Sequence, residues 1–548
     1  MNIKDLIPSD LLVAVRLLKT KATLAGWLDL PERSQRISAV ALLNRQHGLA
    51  GNGKRTLVFS FRGWYPHVAW DALLAHALRL RGAAVHVFNC GGRLPICEVN
   101  FRHASPALVC RECSAYPERL VRSLALPQSW LRDYVQEKEL RQIQENLANL
   151  NPAEYESWSF NGVPIGSLVL DSVCWFVRKS RPQTTGEDAE VYRDFLRSGA
   201  QIALAAPRLL EAFQPDVVLE LNGQFFAERI FNFHVPAKTA VIAYEAGWKS
   251  NTLGFDRVSG RGPIDLDAAW AELKDLPLTE EENLELDRWI QTRAAGDMQR
   301  DFYVRFKQDS GSDLVAQLRL RPDLPVAVLF TNVVWDTAVL GCELGFQSIR
   351  EWLIQTVEYF RRRPRRQLVV RIHPAEDLRP SQEAVEKLAD VLKQLEPLPN
   401  NIRIVPSDHP LSTYKLMDIS QLALVYTSTA GIEMALRGKP VVVAARRYYC
   451  GRGFTIDVER GTDYSQLLDR ALQIKKLDPN QVEVARRFAY LLLFRYLHKI
   501  PVVKQRPRKL PLLEPAEAGM LLPNASPELD QLLTAILQGR DFVRMPPH

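Results

Sequence analysis

Short runs of β-branched and aliphatic residues, each followed by a polar loop and then by apolar residues at helical spacing, recur along most of this chain. That alternation is the pattern of a parallel α/β sheet. Thr56 to Phe61 and Ala84 to Phe88 read as strands, with a helix from Val68 to Arg81 between them that Gly82 stops. An irregular, cysteine-bearing stretch and helices between about 128 and 212 follow. The pattern then resumes with a strand at Asp216–Leu221, a helix at Gln224–Phe233 and a strand at Thr239–Tyr244. After a charged helical stretch from about 268 to 320, Pro322 and Pro325 mark a second start. Strands are expected there at Val326–Thr331, Gln367–Ile372, Ile402–Val405, Leu422–Tyr426 and Val441–Val443, with helices at Ser348–Phe360 and Ser381–Leu395. The expected fold class is therefore α/β, with two Rossmann-like domains and helical extensions. The divisions expected are a helical extension over 1–50, a first domain over 51–275, a second over 276–500 and a tail over 501–548.

A chain of 548 residues is too long for one core. Its 47% hydrophobic and 24% charged residues make it an ordinary globular composition, neither disordered nor fibrous. Lys4, Asp5, Asp10, Arg16 and Lys19 interrupt the N-terminal apolar residues, which argues against a signal peptide or a membrane span. Seven cysteines in so long a chain do not form a disulfide scaffold, so a reducing, cytoplasmic setting is expected. The net charge of +7 is concentrated at Arg361–Arg366, read either as a solvated helix end or as a peripheral contact with anionic lipid or an acidic polymer. No nucleic-acid-binding pattern accompanies it, so nucleic acid is not an expected partner.

In an open parallel sheet the strands' carboxyl ends line one crevice, and the candidate chemistry gathers in the loops beyond them. Thr427–Gly431 joins a strand to a short helix, and its N–H groups suit an anionic phosphate. Gly431 would allow close backbone approach, Ser428 and Thr429 would donate hydroxyls, and Glu433 would accept from sugar hydroxyls. The competing reading is an ordinary crossover in which Ser428 or Thr429 caps the helix. Arg371 and His373 close another strand, one as a fixed cation and the other as hydrogen-bond donor or acid, or else as a histidine merely satisfied at a strand end. Asn332 and Trp335 follow the strand ending at Thr331, offering polar contacts and an aromatic platform, with core packing of Trp335 as the alternative. Arg452 and Thr455 ride on a turn made by Gly451 and Gly453, where an ordinary surface loop is the rival. The glycines at 48 and 53 look like a phosphate-binding loop, but they precede the strand and Arg55 stands where Ser or Thr is required.

Cys90, Cys97, Cys110 and Cys113 fall close together, the last two with the x2 spacing of a pair of metal thiolates. A structural zinc, an iron–sulfur cluster and unligated buried thiols are the readings, with His103 a substitute for one sulfur.

The run Arg371-Ile-His-Pro374, then Tyr426-Thr-Ser-Thr-Ala-Gly-Ile-Glu433, Gly438-Lys-Pro440 and Tyr449 to Thr455, resembles the capsule polysaccharide biosynthesis proteins, a GT-B glycosyltransferase-like family. The match is clearest over about residues 326 to 460. The resemblance implies two Rossmann-like domains facing across a cleft, with the second gripping a nucleotide-sugar donor and a growing, often lipid-linked, glycan as acceptor. It implies His373 and Arg371 on donor phosphate, Ser428, Thr429 and Gly431 as the phosphate turn, Glu433 on ribose, and Glu245 as the base that activates the acceptor. The function expected is sugar transfer to a capsule or other surface polysaccharide. A nucleotide-sugar 2-epimerase or hydrolase, or a non-catalytic glycan-binding assembly protein, would use the same architecture.

Overall fold

Strands built almost wholly of Val, Leu, Ile and Phe are buried on both faces, as parallel strands covered by helices must be. In the computed structural model, which describes residues 53–100, 106–258, 264–294, 314–377, 384–501, 503–506, 509–513 and 515–546, these strands assemble into two large sheets. The expected N-terminal extension over 1–50, and His103, lie outside the described residues. The chain divides into two compact units. One holds Pro182–Asp265, the residues up to Val177 and those from Arg495 onward, and the other holds Arg178–Arg181 and Leu266–Phe494.

The first unit contains β1 (Arg55–Phe59), β2 (Ala84–Asn89), β3 (Gln128–Trp130), β4 (Val217–Leu221), β5 (Ala240–Ala246) and β6 (Thr252–Arg257). The second contains β7 (Val326–Phe330), β8 (Gln367–Arg371), β9 (Ile402–Val405), β10 (Leu422–Val425), β11 (Val441–Val443) and β12 (Ile456–Asp457). The chain then returns to the first unit, where β13 (Leu497–Lys499) pairs antiparallel with β6. The strand orders are β13-β6-β5-β4-β1-β2-β3 and β12-β11-β10-β7-β8-β9. β1 to β5 pair in parallel and β6 runs antiparallel to β5, whereas the second sheet is parallel throughout. The mixed α/β class with parallel sheets expected from the sequence is thus what is found.

Local signals set several helix limits. The helix Tyr65–Leu80 has a proline in its first turn, and the chain leaves it through Gly82 at a φ of 85°. The helix Ile349–Arg361 opens where Ser348 Oγ accepts from the Glu351 N–H at 3.1 Å. Its basic end is tied down, since Arg363 and Arg366 both pair with Asp469. The C-terminal helix Pro527–Gln538 sends Leu529, Leu532, Leu533 and Ile536 into the core of the first unit. No described helix is long and apolar enough to cross a membrane.

Where a parallel sheet's connections leave in opposite directions from neighbouring strands, a crevice opens at the carboxyl ends. In the first sheet that point lies between β1 and β4, and protein side chains fill it. Arg62, just past β1, donates from Nε to Glu98 at 2.9 Å and grips both oxygens of Glu228, one of them at 2.8 Å. All three side chains are no more than 3% exposed. Burial works against the charged guanidinium, but Glu228 and Glu98 outweigh it and hold Arg62 above its ordinary range. Removing one partner of such a buried set strands the others without compensation, so Arg62→Met should destabilise the first unit by about 3–5 kcal/mol. Urea unfolding, compared with the exposed Arg132→Met as control, measures it.

Candidate functional site

The corresponding point of the second sheet lies between β7 and β10, whose registers run from Ala327 opposite Leu422 to Phe330 opposite Val425. Here the loops are lined with small polar side chains. Asn332 Oδ1 accepts from the Thr427 N–H at 3.4 Å, linking the two loops across the gap. Thr427 is 2% exposed and its Oγ1 has no hydrogen-bond partner among the described residues. Ser428 Oγ accepts from the Ala430 N–H at 3.3 Å, while Thr429 stands at the helix entry without a side-chain cap bond. The helix that follows is Ala430–Ala435, only six residues, so its first-turn N–H groups matter more than any axial dipole.

Gly431 makes a close approach within the protein. A Cβ there would stand 2.9 Å from Tyr449 Oη, and that hydroxyl donates to the Ser428 carbonyl at 2.6 Å. The close approach this glycine permits is to a buried tyrosine, which in turn fixes the serine turn.

His373 is oriented by backbone. Its N–H donates to Thr331 Oγ1 at 2.8 Å, and its Nδ1 accepts from the Ala375 N–H at 3.0 Å, which leaves the proton of the neutral ring on Nε2. Burial, and secondarily Arg371, lower its pKa to about 4. At neutral pH it is a neutral donor, not an imidazolium. Arg371 turns elsewhere: its guanidinium donates to the carbonyls of Pro406 and, at 3.3 Å, His409, the loop after β9. Burial lowers its pKa to about 10.

Glu433 is 7% exposed and accepts from Arg293 Nε at 2.7 Å. The Arg293 side chain comes from the last turn of the helix Glu280–Ala294, which the sequence offered no reason to bring here. Trp335 carries the Arg178 guanidinium 3.7 Å from its ring centre, so one face of the expected platform is covered. Arg452 pairs with Asp267 and Thr455 donates to Asp457 at 2.8 Å, which also accepts from the Gly451 N–H at 2.6 Å. Their loop is therefore braced by its own polar groups.

Glu245, in the first unit, stands near the end of β5 with both oxygens engaged, by Asn222 Nδ2 at 2.9 Å and the Ala246 N–H at 2.7 Å. The sequence reading missed two residues of consequence, one in each unit. Asp71 accepts from Tyr244 at 2.6 Å and burial pushes its carboxyl up to about 7. Arg447, past β11, has an Nε without a hydrogen-bond partner among the described residues. Burial opposes its charge, but Tyr448, Tyr449, Cys342 and Asp336 outweigh that and hold it above its ordinary range. A strand-end arginine was a legible signal, yet nothing in the sequence distinguished Arg447 from Arg446.

Residues 294–472 match the capsule polysaccharide biosynthesis protein family. The matched segment contains β7 to β12, the crevice between β7 and β10, and all the candidate donor-side residues named above. The resemblance carried by Arg371–Pro374 and Tyr426–Glu433 is borne out over this segment. No curated protein matches the chain. Among solved structures, a beta Kdo 2,7 transferase, KpsC of Thermosulfurimonas dismutans, is 17% identical with a TM-score of 0.34, covering 58% of this chain and 88% of that one. A glycosyltransferase from Rickettsia africae is 10% identical with a TM-score of 0.29, covering 81% and 94%. A UDP-GlcNAc 2-epimerase from Neisseria meningitidis is 12% identical with a TM-score of 0.23, covering 79% and 98%.

Two outcomes test this geometry. The folded pKa of His373 lies below its ordinary value of 6.5, so the unfolded chain takes up the proton first as pH falls. The stability this neutral ring confers is complete above about 6.5 and is lost progressively towards about 4. Denaturation curves of His373→Gln should accordingly fall less steeply than wild type across that window. Gly431→Ala, which in an open helix would gain up to about 1 kcal/mol, should instead lose about 1–3 kcal/mol through the clash with Tyr449. A double-mutant cycle with Tyr449→Phe should recover part of that loss.

Proposed function

We propose that this chain is a glycosyltransferase that takes a sugar from a nucleotide-activated donor and passes it to a growing surface glycan, free or lipid-linked. The observation that carries this reading is the coincidence of the family match with the strand ends of β7 and β10, where the unpartnered Thr427 hydroxyl, backbone N–H groups and a neutral histidine stand. Strand-end crevices of this kind hold nucleotides and their phosphates.

In this reading the Thr427–Thr429 hydroxyls and the N–H groups of the turn hold the donor's phosphate, and His373 donates from Nε2 to the leaving oxygen. Charge developing there as the sugar departs is stabilised by donors already in position. Arg371 acts as a positioning residue through the Pro406–His409 loop. Glu433 addresses the ribose hydroxyls, with its rotamer set by Arg293. Glu245, held by Asn222 and Ala246, is the base that accepts the acceptor's proton. Asn332, Arg452 and Thr455 complete the donor-side set through the loops they hold.

Selective thermal stabilisation by one nucleotide sugar out of a panel is the first expected result. A hydrogen bond to a charged group contributes roughly 1.5–3 kcal/mol, so His373→Ala should lower kcat/KM about ten- to a hundredfold while the fold persists. Incubation without acceptor should return the donor unchanged or slowly hydrolysed. Absence of stabilisation by every donor would remove the reading, and conversion of free donor to its 2-epimer would replace it.

A further inference from the structure

The first unit holds a cluster that the proposed transfer does not use. Cys90, Cys97, Cys110 and Cys113 line one cavity of about 10 Å³, together with Phe61 and Leu94. They come from three places: just past β2, the loop beyond it, and one turn of the helix Pro106–Ser123. None of the chain's cysteines is in a disulfide.

The direction of the hydrogen bonds separates these sulfurs from others. Cys342 and Cys450 donate to the carbonyls of Ala338 at 3.5 Å and Ala445 at 3.6 Å, as protonated thiols do. In the cluster, three of the four sulfurs face backbone N–H groups. Backbone N–H groups of Gly92, Arg93 and Leu94 point at Cys90, that of Val99 at Cys97, and the Gly63 N–H donates to Cys113 Sγ at 3.1 Å. The chain can wrap the Cys90 sulfur because Gly91 and Gly92 take φ of 68° and 71°. Gly63 can reach Cys113 because it has no Cβ, which would lie 2.4 Å from that sulfur. Four sulfurs lining one small apolar cavity, none of them in a disulfide, are the donor set of a tetrahedral metal site.

We propose that Cys90, Cys97, Cys110 and Cys113 form a closed four-thiolate site for a single zinc ion that serves as scaffold. A cavity of about 10 Å³ has the room of one small sphere, not of an iron–sulfur cluster. Among the described residues no three such side chains are close enough together to hold an ion as they stand, so the proposed site requires the sulfurs to move inward on loading. The ion then staples the Cys90–Cys97 loop and the helix Pro106–Ser123 to the Ser60–Trp64 loop. Arg62 grips that same loop from the other side through Glu98, the neighbour of Cys97.

The test is elemental analysis of the full chain expressed with ample zinc, followed by cobalt exchange. Wild type and Cys174→Ala should each carry about one zinc per chain, and Cys110→Ser/Cys113→Ser roughly a tenth of that or less. The cobalt form should show thiolate-to-metal charge-transfer absorption. If the double variant does not fold, titration of wild type with a mercurial should release zinc in step with loss of four thiols. Equal zinc in all three proteins, no uptake of zinc or cobalt by wild type, or iron with inorganic sulfide in its place would overturn the proposal.

Discussion

Burial of a six-stranded parallel sheet on both faces is the constraint from which the candidate site follows. β7, β8, β10 and β11 are buried along their whole length, so polar side chains are confined to the strand termini and the loops beyond them. The order β10-β7-β8 then makes the chain leave neighbouring strands in opposite directions. The Thr331–Asp336 and Thr427–Gly431 loops leave the sheet on either side of that point, and Asn332 joins them with one hydrogen bond.

The two sheets treat the same topological feature differently. In the first, Arg62, Glu98 and Glu228 close it with a buried ionic set whose members need one another. In the second, buried hydroxyls and a neutral histidine remain, groups that are tolerable near solvent and useful against an anion. Protonation follows from the same contrast. His373 stays neutral because its charged form would be desolvated next to Arg371, whereas Asp71 stays protonated to about 7 because its carboxylate would be.

Several side chains first picked out for a ligand also make contacts within the protein. Gly431 makes room for Tyr449, Arg371 holds the Pro406–His409 loop, and Thr455 ties its own turn to Asp457. These are the supports a site needs if its hydroxyls are to stay in place.

Composition and periodicity determined β1, β2, β4, β5 and β7 to β11, because apolar runs of four to six residues flanked by Gly, Pro and polar loops have few other ways to bury themselves, whereas β3, β6, β12 and β13 carried no such run. They also determined that Ser428, Thr429, Asn332 and His373 stand at strand ends. What they could not determine was long-range partnership. Arg293 meeting Glu433, Arg178 covering Trp335, the return of β13 to pair with β6, and the meeting of Cys90 and Cys97 with Cys110 and Cys113 all join residues remote in sequence. A side chain's chemistry is written in its identity, but its partner is set by packing summed over the whole core, and only the tertiary structure performs that sum.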